Sequence, residues 1–224
     1  MTTLFFDLDG TLLDTQAGIA GSIRHALSEL GHPGVSEEQL KRCFGPPLRH
    51  SFAQLLDTDK QALIIQAVTL FRQHYLNHGI STYEVYPGII DLLEQLCQNQ
   101  TRSPIQNSNP VTMHILTAKP QKQAEWLITH SGLEVFFDSV YGSEDNGIKS
   151  NKSSHLAMLL NETDIPKANC WMVGDRDSDI FAAKDNDIAS VAVHWGYGDR
   201  QELYQSDSDH HITIPQQLLP LLSL

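Results

Sequence analysis

The chain has 224 residues, of which 41% are hydrophobic and 19% are charged, so its composition is typical of a globular protein and argues against disorder. Acidic residues outnumber basic residues 27 to 15, and the net charge of -12 argues against non-specific binding to nucleic acid or to an anionic membrane surface. No apolar run approaches the roughly 18 residues of a membrane span. The amino terminus shows no basic leader, so we expect a cytoplasmic protein. Three cysteines without metal-ligand spacing predict reduced core thiols: Cys43, Cys97 and Cys170.

Short apolar runs alternate with amphipathic patterns along most of the chain. The apolar runs predict strands buried on both faces, as in a parallel sheet, and the amphipathic patterns predict helices between them. Because strand and helix alternate, we predict a doubly wound, Rossmann-like α/β sheet. The predicted strands are 4–6, 111–116, 139–141, 170–173 and 188–194, and the predicted helices are 89–96, 120–130, 156–160 and 180–184.

One stretch, residues 15–82, contains helical patterns and no convincing strand. Four helices are predicted there, including one that opens with a capping box at residues 36–39. We therefore predict an all-helical domain over 15–82, inserted into an α/β core formed by 1–14 and 83–224. The polar segment 99–109 is predicted to be a loop of the core.

Acidic residues crowd the carboxyl ends of two predicted strands. The first strand is followed by DLDGT, from Asp7 to Thr11, and the fourth is followed by GDRDSD, from Gly174 to Asp179. Alone, the first motif also fits a simple turn and the second an Asp-rich helix start. Ligands bind at this edge of open α/β sheets, and carboxylates that converge there repel each other unless a cation intervenes. Ligands that are all oxygen atoms favour Mg²⁺ over zinc.

Two further motifs lie between the acidic ones: the run Thr117-Ala118-Lys119-Pro120 after a strand, and a downstream lysine. In this order the four motifs resemble those of the haloacid dehalogenase superfamily. The helical insertion resembles the small helical cap of that superfamily, and the subgroup it is most similar to contains phosphoglycolate phosphatase-like and 5′-nucleotidase-like members. The similarity extends from Leu4 to about Asp209.

The resemblance implies a role for each acidic residue. Asp7 would be the nucleophile that forms an aspartyl-phosphate, and Asp9 the general acid and base. Mg²⁺ would be bound by Asp7, by the backbone carbonyl of Asp9 and by Asp175. Asp179 would orient these ligands or Lys152.

The resemblance also implies which groups hold the phosphoryl oxygens. The Thr117 hydroxyl and the Ala118 N–H would bind them, and a lysine would neutralise their charge. The family's lysine is usually followed by proline, whereas this chain has Lys149 and Lys152 in IKSNKSS. We favour Lys152 because it directly precedes the predicted helix 153–161, and Lys149 remains the alternative.

Several other residues have both a functional and a plain structural interpretation. Arg49 follows a Gly-Pro-Pro turn and is suited to binding a carboxylate or a second phosphate of a substrate, but it also fits a solvated helix position. Arg176 would contact phosphate or pair with a neighbouring acid. Lys119 fits either a phosphate contact or a solvated residue that caps a helix start, and we favour the second. His210-His211 lies in a polar stretch and has no metal-ligand spacing.

The implied function is a Mg²⁺-dependent phosphatase of small phosphorylated metabolites, similar to phosphoglycolate phosphatase. A second acid at Asp9 disfavours a dehalogenase, because halide leaves without a proton. A 5′-nucleotidase, a pyrophosphatase and a sugar-phosphate mutase of the same superfamily remain open. So do a phospho-accepting receiver domain and a pseudoenzyme that binds a partner through the cap. No nucleic-acid polymer and no membrane is expected as a partner, and both a monomer and a homodimer fit the sequence.

Overall fold

The computed structural model describes residues 2–101, 110–144, 151–162 and 165–222. It divides into two compact units: an α/β unit formed by Met1–Leu13 and Val85–Leu224, and a helical unit formed by Asp14–Glu84. The boundaries predicted from the sequence lie after residues 14 and 82. Most of the predicted loop 99–109 lies outside the described residues. Within the described ranges, no helix combines the length and the apolar character that a membrane span requires.

Six parallel strands form the sheet of the α/β unit, in the order β5-β4-β1-β6-β7-β8. This arrangement, with helices on its flanks, confirms the predicted doubly wound α/β fold. A separate two-stranded sheet pairs β2 with β3. The strands are β1 (Thr2–Phe6), β2 (Leu13–Asp14), β3 (Glu84–Val85), β4 (Val111–Pro120), β5 (Ser139–Ser143), β6 (Cys170–Gly174), β7 (Ala189–Val193) and β8 (His210–Ile212).

Four helices and a π-helical turn make up the helical unit. The predicted capping box opens the second helix: Ser36 Oγ accepts from Gln39 N at 3.2 Å, and Ser36 N donates to Gln39 Oε1 at 3.0 Å. Glycines let the first helix approach the π turn, because a Cβ on Gly18 would lie 2.1 Å from the Gly79 carbonyl oxygen. The elements are α1 (Gln16–Glu29), α2 (Glu37–Lys41), α3 (Leu48–Leu55), α4 (Gln61–His74) and the turn Tyr75–Gly79.

The core of the α/β unit lies between the sheet and its helices. Phe5 of β1 and Met172 of β6 are at most 2% exposed and pack with leucines from the helix that begins at Lys152. All three cysteines are free, but only Cys43 and Cys170 are buried as the prediction of core thiols requires, whereas Cys97 is partly exposed. Burial raises the pKa of the Cys170 thiol to about 11. The helices are α5 (Ile89–Thr101), α6 (Gln121–His130), α7 (Lys152–Glu162), α8 (Asp177–Asp185), α9 (Arg200–Gln205) and α10 (Leu218–Leu221).

Three strands were not predicted: the short strands β2 and β3, and the edge strand β8. His210 and His211, which the sequence shows only as part of a polar stretch, both belong to β8, which pairs with β7 at the edge of the sheet. Within β8 only Ile212 is buried. A short edge strand of this kind carries no apolar run, and its pairing depends on the neighbouring strand rather than on its own side chains.

Candidate active site

The two acidic motifs meet because their strands are neighbours. β1 lies between β4 and β6 in the sheet, and its end is tied to β6 by a hydrogen bond from Asp7 N to the Val173 carbonyl at 2.9 Å. Asp7 therefore follows β1 at the same edge where Asp175 follows β6. The chain also changes direction across the sheet at β1, and such switch points are where open α/β sheets bind ligands.

Three buried carboxylates form the centre of this edge. Asp7, Asp175 and Asp179 each place a carboxylate oxygen within 4.8 Å of the others. Asp7 is 7% exposed and the other two are fully buried. Burial, together with repulsion by Asp7 and Asp179, raises the pKa of Asp175 to about 8. Burial also raises the pKa of Asp179 to about 6, against the opposing effect of Lys152.

Lys152, the first residue of α7, supplies a positive charge to this cluster. Its Nζ donates a hydrogen bond to Asp179 Oδ1 and lies 3.0 Å from Asp7 Oδ1. Burial alone would lower the pKa of this lysine, but the carboxylates of Asp179 and Asp7 outweigh it and raise the pKa. Lys149, the alternative in the sequence, lies outside the described residues.

A cradle of hydrogen-bond donors surrounds Asp175. Its Oδ1 accepts from Thr11 Oγ1 at 3.2 Å, and its Oδ2 accepts from the backbone N–H groups of Tyr197 at 2.7 Å and Gly198 at 3.3 Å. Gly10 has a positive φ of 88°, and a Cβ there would lie 2.3 Å from Asp175 Oδ2. The glycine and threonine of DLDGT thus fit around the carboxylate of the distant motif.

The cluster has the composition of a site for a hard divalent cation. Three carboxylates face one ammonium group, so negative charge is in excess when all are ionised. Asp7 Oδ1 is buried, and no donor among the described residues makes a hydrogen bond of acceptable geometry to it, although Lys152 Nζ is near it. Oxygen donors without nitrogen or sulfur suit Mg²⁺ or Ca²⁺ better than zinc.

The raised pKa of Asp175 makes the stability of the metal-free protein depend on pH. The folded protein keeps the proton up to about pH 8, whereas an unfolded chain releases it near the ordinary value of 3.8. The unfolded state therefore binds fewer protons in this window, and stability should fall as pH rises from about 4 to about 8. Thermal melts with EDTA across this window, for the wild type and for Asp175→Asn, will check this.

The melting temperature of Asp175→Asn minus that of the wild type should increase with pH in EDTA, because the variant has no proton to lose at this position. Adding MgCl2 should raise the melting temperature of the wild type most at the upper end of the window. A difference between the two proteins that is independent of pH would contradict the assignment of the buried proton.

Asp9 does not join the three-carboxylate cluster through its side chain. Instead Lys119 Nζ donates to both of its oxygens, at 3.1 Å to Oδ1 and 2.8 Å to Oδ2. The interpretation of Lys119 as a solvated residue is wrong, since its side chain is only 5% exposed. The reason is that β4 continues through Pro120, so that Lys119 belongs to the strand and not to the start of α6.

The two predicted phosphoryl-binding residues lie at the end of β4. Thr117 is 3% exposed, and its Oγ1 accepts from Lys119 N at 3.2 Å. Ala118 is exposed, and its carbonyl accepts from Ser143 Oγ at 2.8 Å. The structure therefore places both at the same edge of the sheet as the acidic cluster.

The two arginines are placed differently. Of the two roles considered for Arg176, the described contacts show pairing with an acid: its Nε and Nη2 donate to Glu202 at 2.8 and 3.2 Å, which ties the start of α8 to α9. Arg49 is the second residue of α3 and is exposed in the helical unit. Arg49 therefore does not belong to the group of site residues that the α/β unit brings together.

Three contributors to the site were not predicted from the sequence. Lys119 belongs to the identified run Thr117-Ala118-Lys119-Pro120. Its position in that run, at the end of a strand, was the signal that could have assigned it to the site. The N–H groups of Tyr197 and Gly198 carry no signal of this kind, because a backbone donor does not depend on the side chain at its position.

These residues define a class of protein. The family model of the haloacid dehalogenase-like hydrolases matches residues 4–193, and the chain belongs to this family. It is therefore an enzyme, and specifically a hydrolase.

Relatives with names and solved structures are similar over nearly the whole chain. A 5′-nucleotidase of Pseudomonas aeruginosa is 31% identical over 93% of this chain and 89% of its own length. A phosphoglycolate phosphatase of Vibrio parahaemolyticus is 28% identical over 98% of this chain and 95% of its own. The structure of a haloacid dehalogenase-like hydrolase from Streptococcus pneumoniae has a TM-score of 0.87 at 28% identity, covering 99% of this chain and 98% of that one.

Proposed function

We propose that this enzyme is a Mg²⁺-dependent phosphatase that hydrolyses small phosphate monoesters through an aspartyl-phosphate on Asp7. The observation that carries the proposal is the environment of this carboxylate. It is buried, lies 3.0 Å from the Lys152 ammonium and shares a 4.8 Å cluster with Asp175. A carboxylate at the ligand-binding edge of the sheet, with a positive charge beside it, can act as the nucleophile that attacks phosphorus.

The reaction proceeds in two transfers on Asp7. In the first, a carboxylate oxygen of Asp7 bonds to phosphorus while the bond from phosphorus to the leaving oxygen breaks, and the alcohol leaves with a proton from Asp9. In the second, water bonds to phosphorus, gives a proton to Asp9, and the bond from phosphorus to Asp7 breaks. The products are the alcohol and inorganic phosphate, and both aspartates return to their starting states.

Asp7 and Asp175 would hold the cation, together with the backbone carbonyl of Asp9. Asp179 is less available as a ligand, because its Oδ1 accepts from Lys152 Nζ and its Oδ2 accepts from Arg176 N at 3.0 Å. This supports a role for Asp179 in orienting Lys152. When bound, Mg²⁺ would neutralise charge on the phosphoryl oxygens and on the carboxylates.

The remaining site residues bind the transferred group. The Thr117 hydroxyl and the Ala118 N–H are proposed to donate to phosphoryl oxygens, and Lys152 to neutralise charge on the nucleophile and the phosphoryl group. Fixed donors of this kind are effective because they need no reorganisation as the charge of the transition state develops.

The substrate is proposed to be a small phosphorylated metabolite, with phosphoglycolate first and nucleoside 5′-monophosphates second. Similarity to a phosphoglycolate phosphatase and to a 5′-nucleotidase supports both. The helical unit is proposed to act as the cap that selects among them and excludes water. We also propose that the enzyme acts in the cytoplasm, which its three free thiols favour, as a monomer or homodimer.

The test is phosphate release from p-nitrophenyl phosphate and from a panel that contains phosphoglycolate, nucleoside monophosphates, pyrophosphate and hexose phosphates, with MgCl2 or EDTA. We expect turnover that requires the cation and a preference within the panel. A receiver domain or a pseudoenzyme would release no phosphate over many turnovers. A mutase would interconvert hexose phosphates without releasing it. Either result would overturn the proposal.

Arg49→Ala tests whether the helical unit reads a second anionic group on the substrate. We expect a KM about 10-fold higher for phosphoglycolate, since a lost charged hydrogen bond costs on the order of 1.5 kcal/mol, and no change for p-nitrophenyl phosphate. Arg42→Ala is the matched control, because Arg42 is an exposed arginine of the same unit. Arg42 follows α2 and pairs with Glu38 of that helix. Equal effects of Arg49→Ala on both substrates would remove Arg49 from substrate recognition.

A further inference from the structure

A second buried lysine, distinct from Lys152, contacts the site at Asp9. Lys119 Nζ lies 3.1 Å from Asp9 Oδ1 and 2.8 Å from Oδ2, and the side chains are 5% and 22% exposed. A contact to both oxygens fixes the plane of the carboxylate as well as its distance. An ion pair with so little exposure is also screened less than one at the surface.

The backbone that carries Lys119 is anchored on several sides. Lys119 N donates to Thr117 Oγ1, and the neighbouring Ala118 carbonyl accepts from Ser143 Oγ. Gln121, two residues further on, donates from Nε2 to the Val140 carbonyl at 2.9 Å and accepts at Oε1 from Gly142 N. The end of β4 is thus attached to β5 on both sides of Lys119, and the lysine projects from a fixed base.

The two lysines contact different carboxylates. Lys152 contacts Asp7 and Asp179, the nucleophile and its neighbour, whereas Lys119 contacts Asp9, which the proposed function assigns to proton transfer. In the proposed reaction these carboxylates have separate tasks, because bond formation to phosphorus and proton transfer to the leaving oxygen take place on opposite sides of the phosphoryl group.

We propose that Lys119 is a positioning residue that holds the Asp9 carboxylate in the orientation required for proton transfer to the leaving group. The inference rests on the proposed function. When Asp9 carries the proton that it transfers, the protonated oxygen is itself a donor, so Lys119 bonds to the other oxygen and the hydroxyl faces the leaving atom. Without Lys119 the Asp9 carboxylate loses the contact that holds both of its oxygens, whereas Asp7 keeps its contact with Lys152. The loss of Lys119 should therefore slow hydrolysis most for substrates whose leaving group must be protonated.

Lys119→Met separates this role from direct binding of phosphate. p-Nitrophenolate leaves as a stable anion, whereas an alkoxide needs a proton, so general acid catalysis matters chiefly for alkyl phosphates. We measure kcat/KM because it reports the steps up to release of the first product. We expect it to fall at least about 10²-fold for an alkyl phosphate. The loss for p-nitrophenyl phosphate should be smaller than this by a factor of at least about 10. Lys122→Met, at an exposed lysine of α6, is the matched control and should change neither value.

Two further variants keep the test decisive. Lys119→Arg should restore much of the activity on the alkyl phosphate, and it replaces Lys119→Met should the latter not fold. Adding Lys119→Met to Asp9→Asn should cause little further loss on the alkyl phosphate, because the group that Lys119 positions is already disabled. Equal losses on both substrates, additive losses in the double variant, or no loss at all would each overturn the inference.

The outcomes also separate this inference from the proposed function. A wild-type protein that hydrolyses neither ester would overturn the proposed function, and the positioning role of Lys119 with it. A wild type that hydrolyses both, with the ratio of the two substrates unchanged in Lys119→Met, would overturn only the role of Lys119.

Discussion

Asp7→Asn is expected to lower kcat for p-nitrophenyl phosphate by at least about 10⁴-fold, the scale seen when a covalent nucleophile is removed. An amide of the same shape has no ionised oxygen to attack phosphorus. The substitution keeps the volume of the side chain and the backbone hydrogen bond from residue 7 to Val173, so the fold should be retained. Turnover and circular dichroism of the purified variant measure both expectations.

The control for this variant is Asp185→Asn, the same change at an exposed carboxylate at the end of α8. It should leave kcat within about twofold, since surface substitutions away from the site have small effects. An Asp7→Asn protein that is folded and retains substantial activity would show that the nucleophile is misassigned.

Lys152→Met is expected to reduce both activity and stability. Its ammonium lies against Asp7 and Asp179, so its removal leaves buried carboxylates without their positive partner. Removing one partner of a buried ion pair typically costs about 3–5 kcal/mol, and we expect a loss of this order in EDTA. Turnover should fall about 10²–10³-fold, because one fixed charge at the phosphoryl group is lost. Denaturant unfolding and steady-state kinetics provide the two measurements.

Lys149→Met is the matched control, because Lys149 is the other lysine of the segment IKSNKSS. It should change turnover and stability far less than Lys152→Met. The reverse result would assign the role of the catalytic lysine to Lys149 instead of Lys152. Mg²⁺ should restore part of the stability of Lys152→Met, because a divalent cation replaces some of the positive charge that the carboxylates have lost.

Most of the sheet was predictable because its inner strands are largely buried on both faces. β1 shows this directly: Leu4, Phe5 and Phe6 are at most 2% exposed, and such strands appear in the sequence as uninterrupted apolar runs. β8 was missed for the opposite reason. It is three residues long, lies at the edge and begins with two histidines, so neither its length nor its polarity distinguishes it from a loop.

The acidic part of the site was predictable because side chains and chain order together specify it. Asp7 and Asp175 each follow an apolar run, and parallel strands carry their carboxyl ends to one edge of the sheet. The environment of Asp9 was not predictable. Whether Lys119 is solvated or buried depends on how far β4 extends and on a partner 110 residues away, which the local pattern does not encode.

The proposed mechanism is tested most directly by locating the covalent intermediate. Enzyme turning over an alkyl phosphate or p-nitrophenyl phosphate is quenched in acid, reduced with borohydride and digested, and the peptide that contains Asp7 is examined by mass spectrometry. Borohydride converts an aspartyl-phosphate to homoserine, so we expect homoserine at position 7 in the wild type with substrate and none without it. Homoserine at another aspartate, or an unmodified chain under conditions in which an acyl phosphate accumulates, would contradict it.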